Sequence, residues 1–260
     1  MELREILTSL KSGKITPNKA QKLLSLYSID KIGNIAKLDT GRKLRRGVPE
    51  VIFAENKQFE DIKKIIPRVL KKSNSVLVSR LNKKDYQKIL NYTKKSKFKT
   101  KIGKNSSSIL IFKKLQKKNG GRVGILTAGT ADIGIAEEAR LMCESMNCTC
   151  ICSYDVGIAG MHRVFPIIKE FIKKEVDSII VVAGMEGALA TIVSSLVDIP
   201  VIGVPTSIGY GYGEKGIAAL ASMLQSCALG LSVVNIDNGV GAGAVASNIA
   251  NRANRIRSKR

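Results

Sequence analysis

Tryptophan is absent from this 260-residue chain and aromatic residues make up 5% of it, which removes most of the stacking platforms that single-stranded nucleic-acid binders use. The chain has one histidine and no Cys-x-x-Cys pair, so it lacks the ligand spacing of a zinc module. No apolar run reaches the roughly 18 residues that a membrane span needs, and the charged, amphipathic opening MELREILTSLK is unlike a secretory leader. The five cysteines, an odd number without an export signal, predict reduced thiols and a cytoplasmic location.

What the chain does have is hydrophobic residues, 44% of the total, and a net charge of +22. The charge is unevenly placed: residues 1–120 carry the whole excess of +22, while residues 121–260 balance. That step falls at the KKNGGR turn and predicts two domains, a basic α+β domain over 1–119 and an α/β domain over 120–260. A basic surface alone suggests nucleic acid, but no base-reading motif accompanies it. The expected partner is therefore a small anion, without a specific nucleic acid or a membrane.

The first domain reads as a helix pair over 2–11 and 17–27, with Thr16 as N-cap and Pro17 in the first turn. Arg42, Arg45 and Arg46 then precede Gly47 and a strand, VPEVIFA. Guanidinium forks so spaced suit phosphate or carboxylate; a solvated basic turn is the plainer alternative. FEDIKKIIPRVLKK has helical periodicity, and Pro67 inside it predicts a kink or an early end. SVLVSR and SSSILIFKK read as strands flanking a helix, NKKDYQKILNYTKK.

From Arg122 onward strand and helix alternate five times, predicting βαβ units and a doubly wound parallel sheet in three αβα layers. Ligands of such sheets bind where strands hand over to helices at their carboxyl ends. Gly184, Met185 and Glu186 follow the buried strand SIIVVA, which places a carboxylate at such an exit. PVIGVP empties into TSIGYGYGEKG, and Gln225, Ser226 and Cys227 close a third segment, so three loops of one edge are expected to converge. Thr127–Asp132 leaves the first strand and opens a helix, either as a simple N-cap or as a phosphate loop. Asp155 ends the next strand, with His162 and Arg163 shortly after; the histidine is a candidate for proton handling. Cys148, Cys150 and Cys152 share one strand face about 6.6 Å apart, too far to gather three sulfurs on one metal, and read as small buried hydrophobes. Cys227, beside Ser226 and Gly230 at a turn, is either an exposed reactive thiol or a packing residue.

With these residues in place, the second half resembles the aminoimidazole ribonucleotide (AIR) carboxylase and N5-carboxyaminoimidazole ribonucleotide mutase superfamily. The whole chain is similar to its two-domain LarB branch, the pyridinium carboxylases of nickel-pincer cofactor biosynthesis. The resemblance rests on GRKLRRGVPEVIFAENK (41–57), GILTAGTADIGIAEEA (124–139), YDVGIAGMHR (154–163), VVAGMEGALATIVSSLVDIPVIGVPTSIGYG (181–211) and MLQSCALGLSVVNIDNGVGAGAVA (223–246). It implies carboxylation of the pyridinium ring of nicotinic acid adenine dinucleotide and hydrolysis of its phosphoanhydride. Carbon dioxide or bicarbonate would be the co-substrate, with no covalently bound cofactor and Mg as the candidate metal. Cys227, Glu186, Asp155 and His162 would be catalytic. Gly129, Thr130, Asp132, Arg163, Gly184, Met185, Ser207, Arg42, Arg45 and Arg46 would bind substrate. A homo-oligomer between dimer and octamer is implied as well, and the glycine- and alanine-rich GAGAVASNIA is expected to pack between subunits. The alternative is the purine-type reaction of the superfamily, whose enzymes have neither the N-terminal domain nor the Ser-Cys turn; a basic nucleic-acid-binding protein is the remote alternative.

Overall fold

The computed structural model describes residues 2–27, 29–32, 36–39, 41–114 and 117–258; Thr40 and the last two residues of the basic tail RANRIRSKR lie outside these. The chain opens with α1 (Leu3–Lys11) and α2 (Pro17–Leu24), the latter capped by Thr16, whose hydroxyl accepts from the Lys19 amide at 3.3 Å. An antiparallel hairpin, β1 (Ile29–Ile32) and β2 (Ala36–Asp39), and a short helix, α3 (Arg42–Arg46), follow. A four-stranded sheet is then built from β3 (Val51–Phe53), α4 (Phe59–Lys72), β4 (Ser75–Ser79), α5 (Lys83–Lys95), β5 (Lys99–Ile102) and β6 (Ile109–Phe112), in the order β3-β4-β6-β5. Only β3 and β4 run parallel.

Pro67 neither ends α4 nor precedes a break, since the helix continues to Lys72. A proline inside a helix costs about 3 kcal/mol. Its ring is on the solvent side, while Ile62, Ile65, Ile66, Val69 and Leu70 are buried on the other. At about 1.5–3 kcal/mol for each buried side chain, the apolar stripe outweighs the lost hydrogen bond.

The second half alternates regularly: β7 (Arg122–Thr127), α6 (Ile133–Ser145), β8 (Thr149–Ser153), α7 (Val164–Lys173), β9 (Ser178–Ala183), α8 (Ala188–Leu196), β10 (Val201–Pro205), α9 (Ile217–Leu224), β11 (Leu231–Val233) and α10 (Gly239–Arg257). All five strands are parallel, in the order β11-β10-β9-β7-β8. The central strand β9, SIIVVA, is buried throughout, so its side chains divide between two cores. Ile179 and Val181 pack with Val164, Phe171, Leu189 and Met223 on the side of α7, α8 and α9. Ile180 and Val182 pack with Ala136, Ala139, Ala242 and Ala246 on the side of α6 and α10. This is the doubly wound αβα domain expected from the sequence, accompanied by a smaller domain with a mixed sheet.

The helices α6 and α10 serve both sheets. Leu141, Met142, Met146 and Val240 pack against Val51, Leu77, Leu110 and Phe112 of the N-terminal sheet, whose opposite face is covered by α4 and α5. The result is five layers. Being buried on both sides explains why α6 carries no polar stripe apart from its paired charges. Between the layers, Glu138 is 4% exposed and accepts from Ser79 Oγ at 2.5 Å, Ser108 Oγ at 3.0 Å and the Val240 amide at 3.3 Å. One α6 carboxylate thereby ties β4, the approach to β6 and the start of α10 together.

The small residues of α10 have a different use from the one expected. A Cβ on Gly239 would lie 2.5 Å from the Ile135 carbonyl, and one on Gly243 would lie 2.7 Å from the Ala139 carbonyl. With Ala242, Ala246 and Ala250 fully buried, this stripe seats α10 on α6 of the same chain. It is therefore not a free surface for a second subunit.

Candidate functional site

In the order β11-β10-β9-β7-β8 the connections reverse direction between β9 and β7, and ligands of such sheets bind outside the carboxyl ends at this switch point. The loops leaving β7, β9 and β10 meet there. Asp132, at the start of α6, is 3% exposed; its Oδ2 accepts from the Gly129 amide at 2.9 Å and its Oδ1 from Thr206 Oγ1 at 2.7 Å. Burial raises the Asp132 pKa, with the hydrogen bonds from Thr206 and Gly129 acting in the opposite sense. The third loop is drawn in by Gly184, where a Cβ would sit 2.2 Å from the Ile208 carbonyl.

The Gly129 amide, expected to face an anion, is thus engaged by the chain's own aspartate. Among the described residues, the amides of Thr130 and Ala131 have no acceptor, and they are the donors left for a ligand at this helix end. The Thr130 side chain itself points to solvent.

Met185 has φ of 51° and Gly187 φ of 66°. A left-handed methionine is uncommon and is held only where the surroundings fix it; here the Met185 amide donates to the Ile208 carbonyl at 3.2 Å. The tight turn presents Glu186 to solvent, and among the described residues no hydrogen bond or ion pair occupies its carboxylate. Glu186 borders a pocket of about 290 Å³ whose other walls include Gly129, Asp132, Gly157, Gly184 and Met185. A second cleft of about 510 Å³ adjoins it, the two sharing Ala131 and Ile208. Arg80, Asn82, Asn105 and Ser106 of the N-terminal domain wall its far side. Arg80 spans the domains by pairing with Glu55 at 3.2 Å and donating to the Asp237 carbonyl at 3.5 Å.

Asp155 leaves β8 with φ of 60°, its amide donating to Thr127 Oγ1 at 3.0 Å. Arg163 does not stand free for a phosphate. It lies 3.5 Å from the Asp155 carboxylate and donates to the carbonyls of Asp155, Gly157 and Gly160, closing the loop on itself. His162 is exposed on the same 3-10 turn, outside the pocket wall. Ser207 is exposed too, its amide bound to Asp237 Oδ1 at 2.9 Å. The buried hydroxyl that joins the site is its neighbour Thr206, which sequence reasoning passed over although it follows β10 directly.

Two further expectations are corrected. Cys227 does not converge with the other loops, because it follows α9 and precedes β11, and a segment entering a parallel strand lies at the amino edge of the sheet. The neighbouring Ser226 Oγ accepts from Thr191 Oγ1 at 2.9 Å, midway along α8, and the thiol is exposed. The arginine group is also elsewhere. Arg45 forms a bidentate pair with Asp39, 3.0 Å and 2.5 Å, and donates to the Ser25 carbonyl, Arg42 lies 3.6 Å from Glu50, and Arg46 faces a cleft along α10.

The remaining thiols are packing residues. Burial pushes the Cys148 pKa up to about 11 and that of Cys152 to about 12, and Cys150 packs beside them against the α6 side of the sheet. Among the described residues no group of three or more His, Cys, Asp or Glu side chains could hold a metal ion. No helix of the described residues is long and apolar enough to cross a membrane.

A doubly wound sheet with an unengaged carboxylate and open amides at its switch point places the chain among the three-layer α/β proteins, enlarged by a domain that overhangs the site. More narrowly, the chain belongs to the AIR carboxylase family, which it matches over residues 122–259. Residues 29–119 match the LarB/PurE-like N-terminal domain. An uncharacterised protein of Methanocaldococcus jannaschii is 44% identical over 252 residues, 95% of this chain and 96% of the relative. A probable N5-carboxyaminoimidazole ribonucleotide mutase of Methanothermobacter thermautotrophicus is 32% identical over 132 residues, 49% of this chain and 37% of the relative.

Proposed function

We propose that this carboxylase-family protein carboxylates carbon 5 of the pyridinium ring of nicotinic acid adenine dinucleotide and hydrolyses its phosphoanhydride, releasing pyridinium-3,5-biscarboxylic acid mononucleotide and AMP. The observation that carries the reading is the pair of adjoining compartments, one beside Glu186 and one beneath the N-terminal domain. A mononucleotide substrate needs only the first, whereas a dinucleotide fills both.

The ring chemistry needs a nucleophile, because a pyridinium is electron-poor and does not attack carbon dioxide. Addition of the Cys227 thiolate at carbon 4 gives an enamine whose carbon 5 bonds to carbon dioxide. Loss of the carbon 5 proton to a base and expulsion of the thiolate restore the aromatic ring, so a carbon–hydrogen bond is exchanged for a carbon–carbon bond without net oxidation. Glu186 is the base in this scheme, being unpartnered and at the pocket wall; Asp155 and His162 handle the remaining protons from the rim. The open amides of Thr130 and Ala131 hold a phosphate or ribose oxygen.

Cys227 lies away from the Glu186 pocket of its own chain, which makes assembly part of the proposal. Leu224 and Leu229, on either side of it, are 65% and 97% exposed. An apolar rim around an exposed thiol suits contact with a second copy, whose pocket would receive it. The purine-type reaction has one observation in its favour, since aminoimidazole is already an enamine and needs no thiol at the pocket. Mass spectrometry after incubation with nicotinic acid adenine dinucleotide and labelled bicarbonate separates the two readings. A labelled pyridine mononucleotide plus AMP is expected; turnover of aminoimidazole ribonucleotide alone would establish the purine-type reaction instead.

A further inference from the structure

The cleft faced by Arg46 has no role in the chemistry above. Its volume is about 830 Å³; besides Arg45, which is paired with Asp39, the side chains of Lys22, Lys43, Arg46, Lys72, Arg252 and Arg255 bring six cations to its walls. They come from α2, α3, α4 and α10, elements far apart in sequence, so the fold gathers them. All six are exposed, and among the described residues none lies within 4 Å of a carboxylate. Two acids border an adjacent pocket together with Lys43 and Lys72: Asp39 is paired with Arg45, and Glu50 lies 3.6 Å from Arg42 through one oxygen.

Five of the six have a local reason to be where they are, since Lys22, Lys43, Arg46, Lys72 and Arg255 lie in the last turns of their helices and offset the negative end of the helix dipole. That compensation is incomplete. Four helix ends contribute about half a unit of negative charge each, against six whole positive charges, so an excess of about four remains in one concavity.

Geometry narrows the ligand. Asn248, Arg252 and Arg255 stand at helical spacing along one face of α10, opposite Lys43 and Arg46 on α3. The gap between the helices is kept open at Gly47, which has φ of 72° and where a Cβ would come 2.9 Å from Asn248 Oδ1. Arginine forks bind phosphate oxygens in pairs, lysines add point charges, and the Asn248 amide supplies a neutral partner at the floor. The lining contains no aromatic residue on which a base would stack, so the cleft reads phosphate groups and not nucleobases.

We propose that this cleft is a binding site for a small polyphosphate anion, either an inorganic polyphosphate or the triphosphate of a nucleotide, separate from the carboxylation pocket. It shares no wall residue with either active-site compartment. Its walls join the N-terminal helices to α10, so a bound anion neutralises their repulsion and clamps the first helices onto the catalytic domain. Availability of the anion then sets how firmly the N-terminal segment is held.

Calorimetric titration of the full chain with sodium tripolyphosphate at physiological salt tests this, with thermal midpoints recorded in parallel. Saturable binding and a raised midpoint are expected, and orthophosphate should bind far more weakly. Arg46→Gln with Arg252→Gln should weaken binding roughly tenfold or more, whereas Lys94→Gln with Lys95→Gln, on the solvated face of α5, should leave it unchanged. Lys43→Gln with Lys72→Gln gives a second test should the arginine pair fail to fold. ATP and GTP binding as tightly as tripolyphosphate would identify nucleotides as suitable sources of the phosphates; tripolyphosphate alone would identify the inorganic anion. Equal loss in the α5 control would reduce the effect to net charge and overturn the proposal. So would competition between tripolyphosphate and nicotinic acid adenine dinucleotide, or displacement of tripolyphosphate by single-stranded RNA at equal phosphate concentration.

Discussion

The Asp132 carboxylate, nearly devoid of solvent and held by two donors, shows how this site is set residue by residue. Its pKa is raised because burial penalises the charge more than Thr206 and Gly129 relieve it. A carboxyl group whose folded pKa lies above its unfolded one contributes stability that is complete below the unfolded value of about 3.8 and declines as pH rises through the folded value. Thr206→Val removes the hydroxyl that opposes this shift and leaves Asp132 Oδ1 without its donor. The variant should lose about 1–3 kcal/mol near neutral pH and should lose less in acid, where the carboxyl is protonated. Urea melts at several pH values check this; a loss independent of pH would mean that Thr206 matters for packing alone.

At the scale of elements, α6 and α10 hold the two sheets together through one buried acid. Glu138→Ala would strand two hydroxyls and an amide between the layers, and a cost on the order of 3 kcal/mol or more follows. Denaturation should then separate into two transitions; a single sharp transition at the wild-type midpoint would refute the role. The elements legible in the sequence were those with a period: the apolar alternation from Arg122 on, the stripe of α4, the capped α2. The β5 strand, KTKI, was illegible because an edge strand rich in lysine carries little apolar signal, as edge strands that avoid further pairing do. The turn containing Arg45 was likewise unreadable as a helix, since α3 is five residues long and is fixed by tertiary pairing with Asp39. Glu186, Gly184 and Asp132 could be placed because strand exits are predictable from strand order, and by the same rule Thr206 was available. Loop composition does not reveal the edge on which Cys227 lies, because that is fixed by the strand the loop enters, β11, and not by the residues of the turn.

For the whole molecule, the separation of Glu186 from Cys227 becomes a question of stoichiometry. With both residues required for ring carboxylation, a chain acting alone has its base at the carboxyl edge of the sheet and its thiol toward the amino edge. An assembly resolves this when one copy's thiol enters another copy's pocket, and that arrangement leaves a signature in mixed oligomers. Glu186→Gln and Cys227→Ala should each fold, because both side chains are exposed and surface substitutions usually cost under about 0.5 kcal/mol, and each alone should be inactive. Unfolded together and reassembled in equal amounts, they should recover about one quarter of wild-type turnover, since a site drawing one residue from each of two randomly chosen copies has an intact pair about one time in four. That fraction does not depend on whether the assembly is a dimer or an octamer. A mixture as inactive as its parents would place the thiol and the base in the same chain and require a movement of the α9–β11 turn. Activity retained in Cys227→Ala by itself would remove the thiol from the chemistry and favour the purine-type reaction.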